Sequence, residues 1–447
     1  MLLKYTSRYR GRRVGFVGMG VSNLPVVELF ARAGAECIVR DKKDLSSAPF
    51  YNTLSEKGVR FICGERYLDD ITEELLFLSP AVRPDIPGIA SAAANGTLVT
   101  SEMEEFFRLC PCKIYAVTGS DGKTTTTTLI SLLLRAAGKR VFLGGNIGTN
   151  LFAELDNISP NDCAVVELSS FQLMKLDKSP DVAVITNIAP NHLDWHRDME
   201  EYVDSKKNIF RFQKPGGLLV LNGDDKYCRT FASESKCETR FVSGAGEADV
   251  YFDEKGIYRS GRLILPDSDI RIVGRHNRYN YCEAFAATED TVSEEALCRV
   301  AGGFGGVEHR IEFVRELDGV KYYNSSIDSS PSRTRACLES FPGRNVIAIS
   351  GGYDKHIPYE PLGELFTRKV KFAVLCGATA GKISAALDNA GFKDYTVADD
   401  FRTAVLSARE HAAPGDNVVL TPASASFDMF KNFAERGNVF KSIVNQL

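Results

Sequence analysis

A glycine-rich turn set between an apolar strand and a helix constrains this chain more than any other segment. From Lys113 to Ile130 it reads Lys-Ile-Tyr-Ala-Val-Thr-Gly-Ser-Asp-Gly-Lys-Thr-Thr-Thr-Thr-Thr-Leu-Ile. The strand-like run ends in Gly119-Ser120-Asp121-Gly122-Lys123-Thr124, and a helix-like stretch follows from Leu129 to Ala137. Glycines let backbone N–H groups close around phosphate oxygens, and a helix N-terminus adds positive potential at the same point. Lys123 can neutralise phosphate charge and the Thr124 hydroxyl can ligate Mg²⁺. Val117 stands where the first glycine of the usual G-x-x-x-x-G-K-[ST] loop would be, so this is a shortened loop. With strand and helix both in place, the segment points to a nucleoside triphosphate rather than to a turn carrying a solvated lysine.

At 447 residues, 44 % of them hydrophobic, the chain is too long for one ordinary core and suits about three domains. Its net charge of −4 gives no general attraction to nucleic acid or to acidic membranes. The 11 cysteines are odd in number, scattered and without a CxxC pair, which speaks for a reducing cytoplasm rather than a disulfide framework or a zinc ribbon. Cys110-Pro-Cys112 reads as two ordinary thiols in a linker. Basic residues occur between Met1 and Arg13, but no apolar segment follows them, and no run approaches membrane-spanning length.

Strands and helices alternate through most of the sequence, which predicts an α/β protein with mostly parallel sheets. Near the start, Arg13–Val17 and Glu36–Arg40 are strands flanking an amphipathic helix over 24–34. Gly18-Met19-Gly20-Val21-Ser22-Asn23 lies between the first strand and that helix, and Asp41 ends the second strand. This is similar to a dinucleotide fingerprint whose third glycine is Asn23, a pattern open to several nucleotide ligands. Residues 108–112 read as a linker. A larger α/β domain extends from the phosphate loop to about Gly306, with strands over 163–168 and 182–187. Beyond it, strands are expected over 345–350, 370–376 and 417–421, and helices over 382–390 and 402–412.

Ligands of parallel α/β sheets gather outside the carboxyl ends of the strands. Glu167 falls at such an end and His192 just past another, and an oxygen plus a neutral imidazole beside a triphosphate could hold a divalent ion. His192 and His196 are four apart, but no H-E-x-x-H is present and Pro190 argues against a helix through them, so a zinc protease is excluded. Lys206 and Lys207 sit on a helix expected over 199–210, and their spacing alone reads as a solvated face. Asn277 and Asn280 near a helix start could contact a base or ribose, or could cap the helix. Arg310 offers a phosphate-facing cation, Gly351-Gly-Tyr-Asp-Lys355 a second anion site, and Pro422–Phe430 a third turn at a strand end.

Taken in order, these segments resemble the Mur ligases, and most closely their D-glutamate-adding branch. The resemblance runs through nearly the whole chain. It is carried by Gly119–Thr124, Gly145-Asn-Ile-Gly148, Glu167-Leu-Ser-Ser-Phe-Gln172, Asn191-His-Leu-Asp194, His276-Asn-x-x-Asn280, His309-Arg310 and Gly351-Gly-x-Asp-Lys355. The string from Ser424 to Gly437 is the part most typical of that branch.

The resemblance implies three domains: a Rossmann-like N-terminal domain over 1–109 for a UDP sugar, a central P-loop-type ATPase domain over 110–306, and a Rossmann-like C-terminal domain over 307–447 for an incoming amino acid. It implies an ATP-dependent amide ligase of peptidoglycan precursor synthesis. Such an enzyme adds D-glutamate to UDP-N-acetylmuramoyl-L-alanine through an acyl phosphate, with ATP, two Mg²⁺ ions and a carbamylated Lys206. By the same resemblance, Lys123, His192, Lys206 and Lys355 are catalytic, and Thr124, Glu167, His192 and Lys206 hold metal. Gly119, Ser120, Asp121, Gly122, Lys123, Thr124, Thr125, Asn277, Asn280, Arg310 and Asp328 contact ATP. Gly18, Gly20, Val21, Ser22, Asp41, Ser79 and Asn146 take the UDP sugar, and Arg333, Lys355, Ser426, Phe427 and Phe433 the D-glutamate. The expected partners are these small molecules alone, with no nucleic acid and no membrane, and the expected state is a cytoplasmic monomer. Another Mur-type ligase, a folylpolyglutamate synthetase or a non-catalytic nucleotide-binding homologue are the alternatives.

One stretch departs from the branch pattern. Where that branch reads Asn-Asp-Ser-Lys-Ala-Thr-Asn, this chain has Asn324-Ser-Ser-Ile-Asp-Ser-Ser330 before Pro331. Ser325 replaces the acid and Ile327 the lysine. Asp328 stands near enough for the acidic role, and Arg333 for the missing cation.

Overall fold

The computed structural model describes residues 1–447 except Glu247. Among them are three β-sheets, mostly parallel, with helices in the connections. The first contains β1 (Arg13–Val17), β2 (Glu36–Asp41), β3 (Arg60–Cys63), β4 (Leu75–Leu78) and β5 (Leu98–Thr100), in the order β3-β2-β1-β4-β5. Each neighbouring pair is parallel. Short apolar strands such as Leu75–Leu78 are buried on both faces, as a helix-covered parallel sheet requires.

The second sheet has nine strands: β6 (Lys113–Thr118), β7 (Val141–Gly145), β8 (Cys163–Glu167), β9 (Val182–Ile185), β10 (Leu218–Asn222), β11 (Glu238–Ser243), β12 (Val250–Phe252), β13 (Gly256–Arg259) and β14 (Arg262–Pro266). Their order is β14-β13-β12-β11-β10-β9-β6-β8-β7. β6 lies between β8 and β9, both parallel to it, so its carboxyl end opens into a crevice flanked by two other strand ends. That is the place where doubly wound sheets bind ligands. The third sheet is formed by β15 (Glu312–Leu317), β16 (Val320–Asn324), β17 (Val346–Ser350), β18 (Val370–Leu375), β19 (Tyr395–Val397) and β20 (Asn417–Leu420), ordered β15-β16-β20-β17-β18-β19. β12–β13 and β15–β16 pair antiparallel, departing from the mostly parallel pattern.

The chain divides into two compact units. Met1–Asp253, Ile257–Ile264 and Tyr279–Leu297 form one, and Glu254–Gly256, Leu265–Arg278 and Cys298–Leu447 the other. Within the first unit, Phe16, Phe30, Phe77 and Phe152 pack ring to ring at centroid distances of 5.4–6.2 Å. This aromatic core joins residues of the first sheet to a segment following β7. No helix of the described residues is long and apolar enough to cross a membrane, and all 11 cysteines are free.

The helix after the phosphate loop begins at Lys123, not at Leu129 as the threonine run suggested. Five successive threonines are accommodated because side-chain hydroxyls bond back to the preceding turn. Thr127 Oγ1 donates to the Lys123 carbonyl at 2.7 Å and Thr128 Oγ1 to the Thr124 carbonyl at 2.7 Å. The linker is also shorter than expected, because the helix Glu102–Leu109, capped by the Ser101 side chain, takes up its first two residues.

Candidate active site

The loop from Gly119 to Gly122 leaves β6 in a conformation that only glycine adopts readily at its two ends. Gly119 has φ +147° and Gly122 has φ +80°. Space is restricted as well: a Cβ on Gly119 would lie 1.9 Å from Thr186 Oγ1, and one on Gly122 2.5 Å from Asn280 Oδ1. Thr186 Oγ1 donates to the Asp121 carbonyl at 2.5 Å, and the Asp121 N–H donates to Asn187 Oδ1 at 3.0 Å. Ser120 Oγ donates to the Ala189 carbonyl and shares a 2.8 Å hydrogen bond with the Tyr202 hydroxyl. The loop is therefore fixed by the strand end of β9 and by the helix Met199–Arg211, and it feeds the N-terminus of Lys123–Ala136. Lys123 Nζ lies across it, 3.0 Å from the Gly119 carbonyl and 2.8 Å from that of Ser120.

Lys206 corrects the solvated-face reading. It is 1 % exposed, and its Nζ donates to Thr118 Oγ1 at 3.1 Å and to the Gly119 carbonyl at 2.9 Å. Burial, and then the nearby charge of Lys123, hold its pKa well below the ordinary lysine value. Its neighbour Lys207 is half-buried over the Phe231 ring and pairs with Glu234 at 2.6 Å.

Glu167 ends β8 and is 1 % exposed. Its Oε1 accepts from Asn146 Nδ2 at 2.8 Å, while Oε2 is buried without a hydrogen-bond partner. A desolvated carboxylate oxygen of this kind is suited to a cation. His192 follows β9 at φ +55°, its ring 4.9 Å from that of Phe171. Burial, and then Lys123, lower its pKa and favour the neutral imidazole. His196 is spent structurally, its Nε2 2.9 Å from Ser170 Oγ. No group of three or more His, Cys, Asp or Glu side chains able to hold a metal occurs among the described residues.

At the first sheet, the turn after β1 closes on itself. The Met19 N–H donates to Asp41 Oδ2 at 2.8 Å, and the Lys43 N–H to Oδ1 at 2.9 Å. Asn23, in the third glycine position, is fully buried and donates to the carbonyls of Val17 and Gly18. Val21 is 91 % exposed at the turn's tip. The Ser22 carbonyl accepts from Asn150, which follows β7, and the Ser79 carbonyl at the end of β4 accepts from Lys175, which follows β8.

In the second unit, Asp328 is buried, accepts from Thr421 Oγ1 at 3.1 Å, and has its pKa pushed by burial up to about 6. Arg310 and Lys355 are exposed. Arg333 is also exposed and donates to the Ile327 carbonyl at 3.2 Å. Ser426 is buried, while Phe427 and Phe433 are exposed, the latter 5.8 Å ring to ring from His309. Asn277 Nδ2 donates back to the Val273 carbonyl at 2.6 Å.

Comparison with known proteins bears on this arrangement. The Mur ligase middle domain matches residues 117–288, and the Mur ligase, glutamate ligase domain matches residues 309–424. The UDP-N-acetylmuramoylalanine–D-glutamate ligase of Clostridium kluyveri is 46 % identical, with 98 % of this chain and 97 % of that protein aligned. The chain belongs to the Mur ligase family. The ligase of the same name from Ruminiclostridium cellulolyticum is 45 % identical over 100 % of this chain and 99 % of its own. Among solved Mur ligase structures, the UDP-N-acetylmuramate-alanine ligase of Thermotoga maritima covers 97 % of this chain and 99 % of its own, at TM-score 0.58 and 16 % identity. A UDP-N-acetylmuramoyl-L-alanyl-D-glutamate–2,6-diaminopimelate ligase covers 93 % and 87 %, at TM-score 0.58 and 18 % identity. These two share the fold.

Three residues of this Mur ligase escaped the motif reading. Tyr202 orients Ser120 of the loop. Glu283 is buried beside Thr126 on the helix after the loop. Arg436, 1 % exposed, binds Ser326 Oγ and the carbonyls of Ser326, Ser424 and Ala425, so it ties β16's end to the turn after β20. The arginine at the end of the Ser424–Gly437 string was the available signal for the last. Nothing local marks Glu283.

Proposed function

We propose that this chain is the ATP-dependent ligase that joins D-glutamate to UDP-N-acetylmuramoyl-L-alanine in peptidoglycan precursor synthesis. The carrying observation is the near full-length identity of 44–46 % to ligases of that name. The phosphate loop, the buried Glu167 and the buried Lys206 support it physically. The substrate carboxylate attacks the γ-phosphate of ATP to give an acyl phosphate and ADP. The amine of D-glutamate then adds to the acyl carbon and phosphate leaves.

The chain's own groups suit each part. N–H groups of Gly119–Thr124 and the helix N-terminus receive the phosphates. Lys123, folded onto the loop carbonyls, would turn toward the transferring phosphoryl group and stabilise charge as it moves. The low pKa of Lys206 keeps a neutral amine available to combine with CO₂, giving an N-carboxylate and a proton. Thr124, Glu167, His192 and carbamylated Lys206 would hold two Mg²⁺ ions, which when bound screen the repulsion between phosphates and the substrate carboxylate. Residues 1–109, 110–306 and 307–447 would serve the UDP sugar, ATP and the amino acid in turn. Lys355 and Arg333 would face the acceptor's two carboxylates, with Ser426, Phe427 and Phe433 around them. The proposed setting is a monomer in the cytoplasm.

Phosphate release tests this reading. It should require ATP, UDP-N-acetylmuramoyl-L-alanine and D-glutamate together. Turnover with L-lysine, diaminopimelate or L-alanine in place of an inert D-glutamate would overturn the acceptor assignment.

A further inference from the structure

Glu283 lies one turn beyond Asn280 on the helix Arg275–Thr288 and has no exposed surface. Its Oε2 is 3.1 Å from Thr126 Oγ1, and the same hydroxyl is 3.1 Å from Asn280 Oδ1. Thr126 and Asn280 are buried too, at 0 % and 3 % exposure. Asn280 Oδ1 faces Gly122, the last residue of the phosphate loop. These groups all belong to the first compact unit.

The proton count of this cluster ties the orientation of the Asn280 amide to the protonation of Glu283. A threonine hydroxyl has one hydrogen, and two acceptor oxygens stand at equal distance from it. An ionised Glu283 either leaves one of the two contacts as oxygen against oxygen or requires the Asn280 amide to turn its NH₂ group toward Thr126, and in both cases a desolvated charge stands beside them. A neutral carboxylic acid resolves both: Glu283 donates to Thr126 Oγ1, and Thr126 donates to Asn280 Oδ1. The amide of Asn280 is then fixed with its oxygen toward Thr126 and its NH₂ group turned the other way.

We propose that Glu283 is a positioning residue of the nucleotide site, which as a neutral proton donor sets the orientation of the Asn280 amide through Thr126. The inference rests on the ATP-ligase reading above. Burial supports it by pushing the Glu283 carboxyl up to about 8. The titratable groups acting near it are the Cys282 and Cys228 thiols, both raised by burial and neutral over the working range. No salt bridge to Glu283 occurs among the described residues, and its Oε1 is buried without a hydrogen-bond partner.

The test is the Michaelis constant for ATP between about pH 6.5 and 9, read by phosphate release, for wild type, Glu283→Gln, Glu283→Leu and Thr126→Val. Glutamine keeps a neutral donor, so Glu283→Gln should stay within twofold of wild type at neutral pH and lack the alkaline rise expected of wild type. Glu283→Leu and Thr126→Val should raise the constant about fivefold, the value of one hydrogen bond, and leave those for the UDP sugar and D-glutamate unchanged. Should Glu283→Leu fail to fold, Thr126→Val and Glu283→Gln still decide. Equal ATP constants for Thr126→Val and wild type at every pH would overturn the proposal, as would a glutamine variant as impaired as the valine one. Wild type that releases no phosphate from ATP would instead overturn the ligase reading.

Discussion

Gly119→Ala is the perturbation whose cost the geometry defines best. Two effects add. The backbone sits at φ +147°, where an L side chain is strained by about 1–3 kcal/mol. The new methyl would also lie 1.9 Å from Thr186 Oγ1, roughly 1.5 Å inside ordinary contact. Thr186 can relieve this by turning away, which breaks its bond to the Asp121 carbonyl and costs about 1 kcal/mol more. Otherwise the loop moves by about 1 Å, a misplacement that costs on the order of 10²-fold in rate. Gly119→Ala should therefore lose about 2–4 kcal/mol of stability and about two orders of magnitude in phosphate release. Thermal unfolding and kcat/KM for ATP are the measurements, with Thr186→Ala as control. The double variant Gly119→Ala/Thr186→Ala should lose less than the two single variants together, because the overlap exists only when both side chains are present. A Gly119→Ala protein with unchanged Tm and kcat/KM within threefold of wild type would refute the argument.

Other substitutions probe the rest of the site. Lys206→Ala should be nearly inactive and regain part of its turnover with small carboxylic acids in the buffer, whereas an active alanine variant would end the carbamate proposal. Arg333→Ala should raise the Michaelis constant for D-glutamate and leave that for ATP nearly unchanged. Glu283→Gln should stabilise the protein increasingly with pH. The folded-state pKa of about 8 lies above the unfolded value near 4.5, so the folded state holds the extra proton and wild type loses stability as pH rises between them. At pH 7.5 the gap approaches about 4 kcal/mol at 1.36 kcal/mol per unit. Melting curves of the two proteins should nearly coincide at about pH 5 and separate by pH 8, and parallel curves would contradict the raised pKa.

Local chemistry made much of this protein legible. The strand Arg13–Val17 was readable to the residue because an apolar run is bounded by charged residues and a glycine turn. The helix after the loop was misplaced because threonine's propensity hides its back-bonding to the turn before. Lys206 and Lys207 are adjacent on one helix, and helical periodicity alone did not show that the first turns inward beneath the phosphate loop. The resemblance named Lys206, and the geometry supplied the reason: carbonyl and hydroxyl acceptors at the end of β6. Asn23 looked like a damaged fingerprint, yet its side chain bonds two strand-end carbonyls, a role the glycine pattern cannot announce. Glu283 was invisible because the hydrogen-bond partner of its carboxyl among the described residues lies 157 positions away.

The place of β20 has a consequence for how the protein is made. This strand, almost the last segment of the chain, lies between β16 and β17 and pairs in parallel with both. A ribosome that has delivered Ser350 has produced two strands whose facing edges remain open. At ~5–20 residues per second, Asn417 follows only after several seconds. Through that interval the nascent unit exposes a slot able to accept a foreign strand. A stop codon before β20 would remove the middle of the third sheet rather than trim its margin, leaving two half-sheets with nothing to join them.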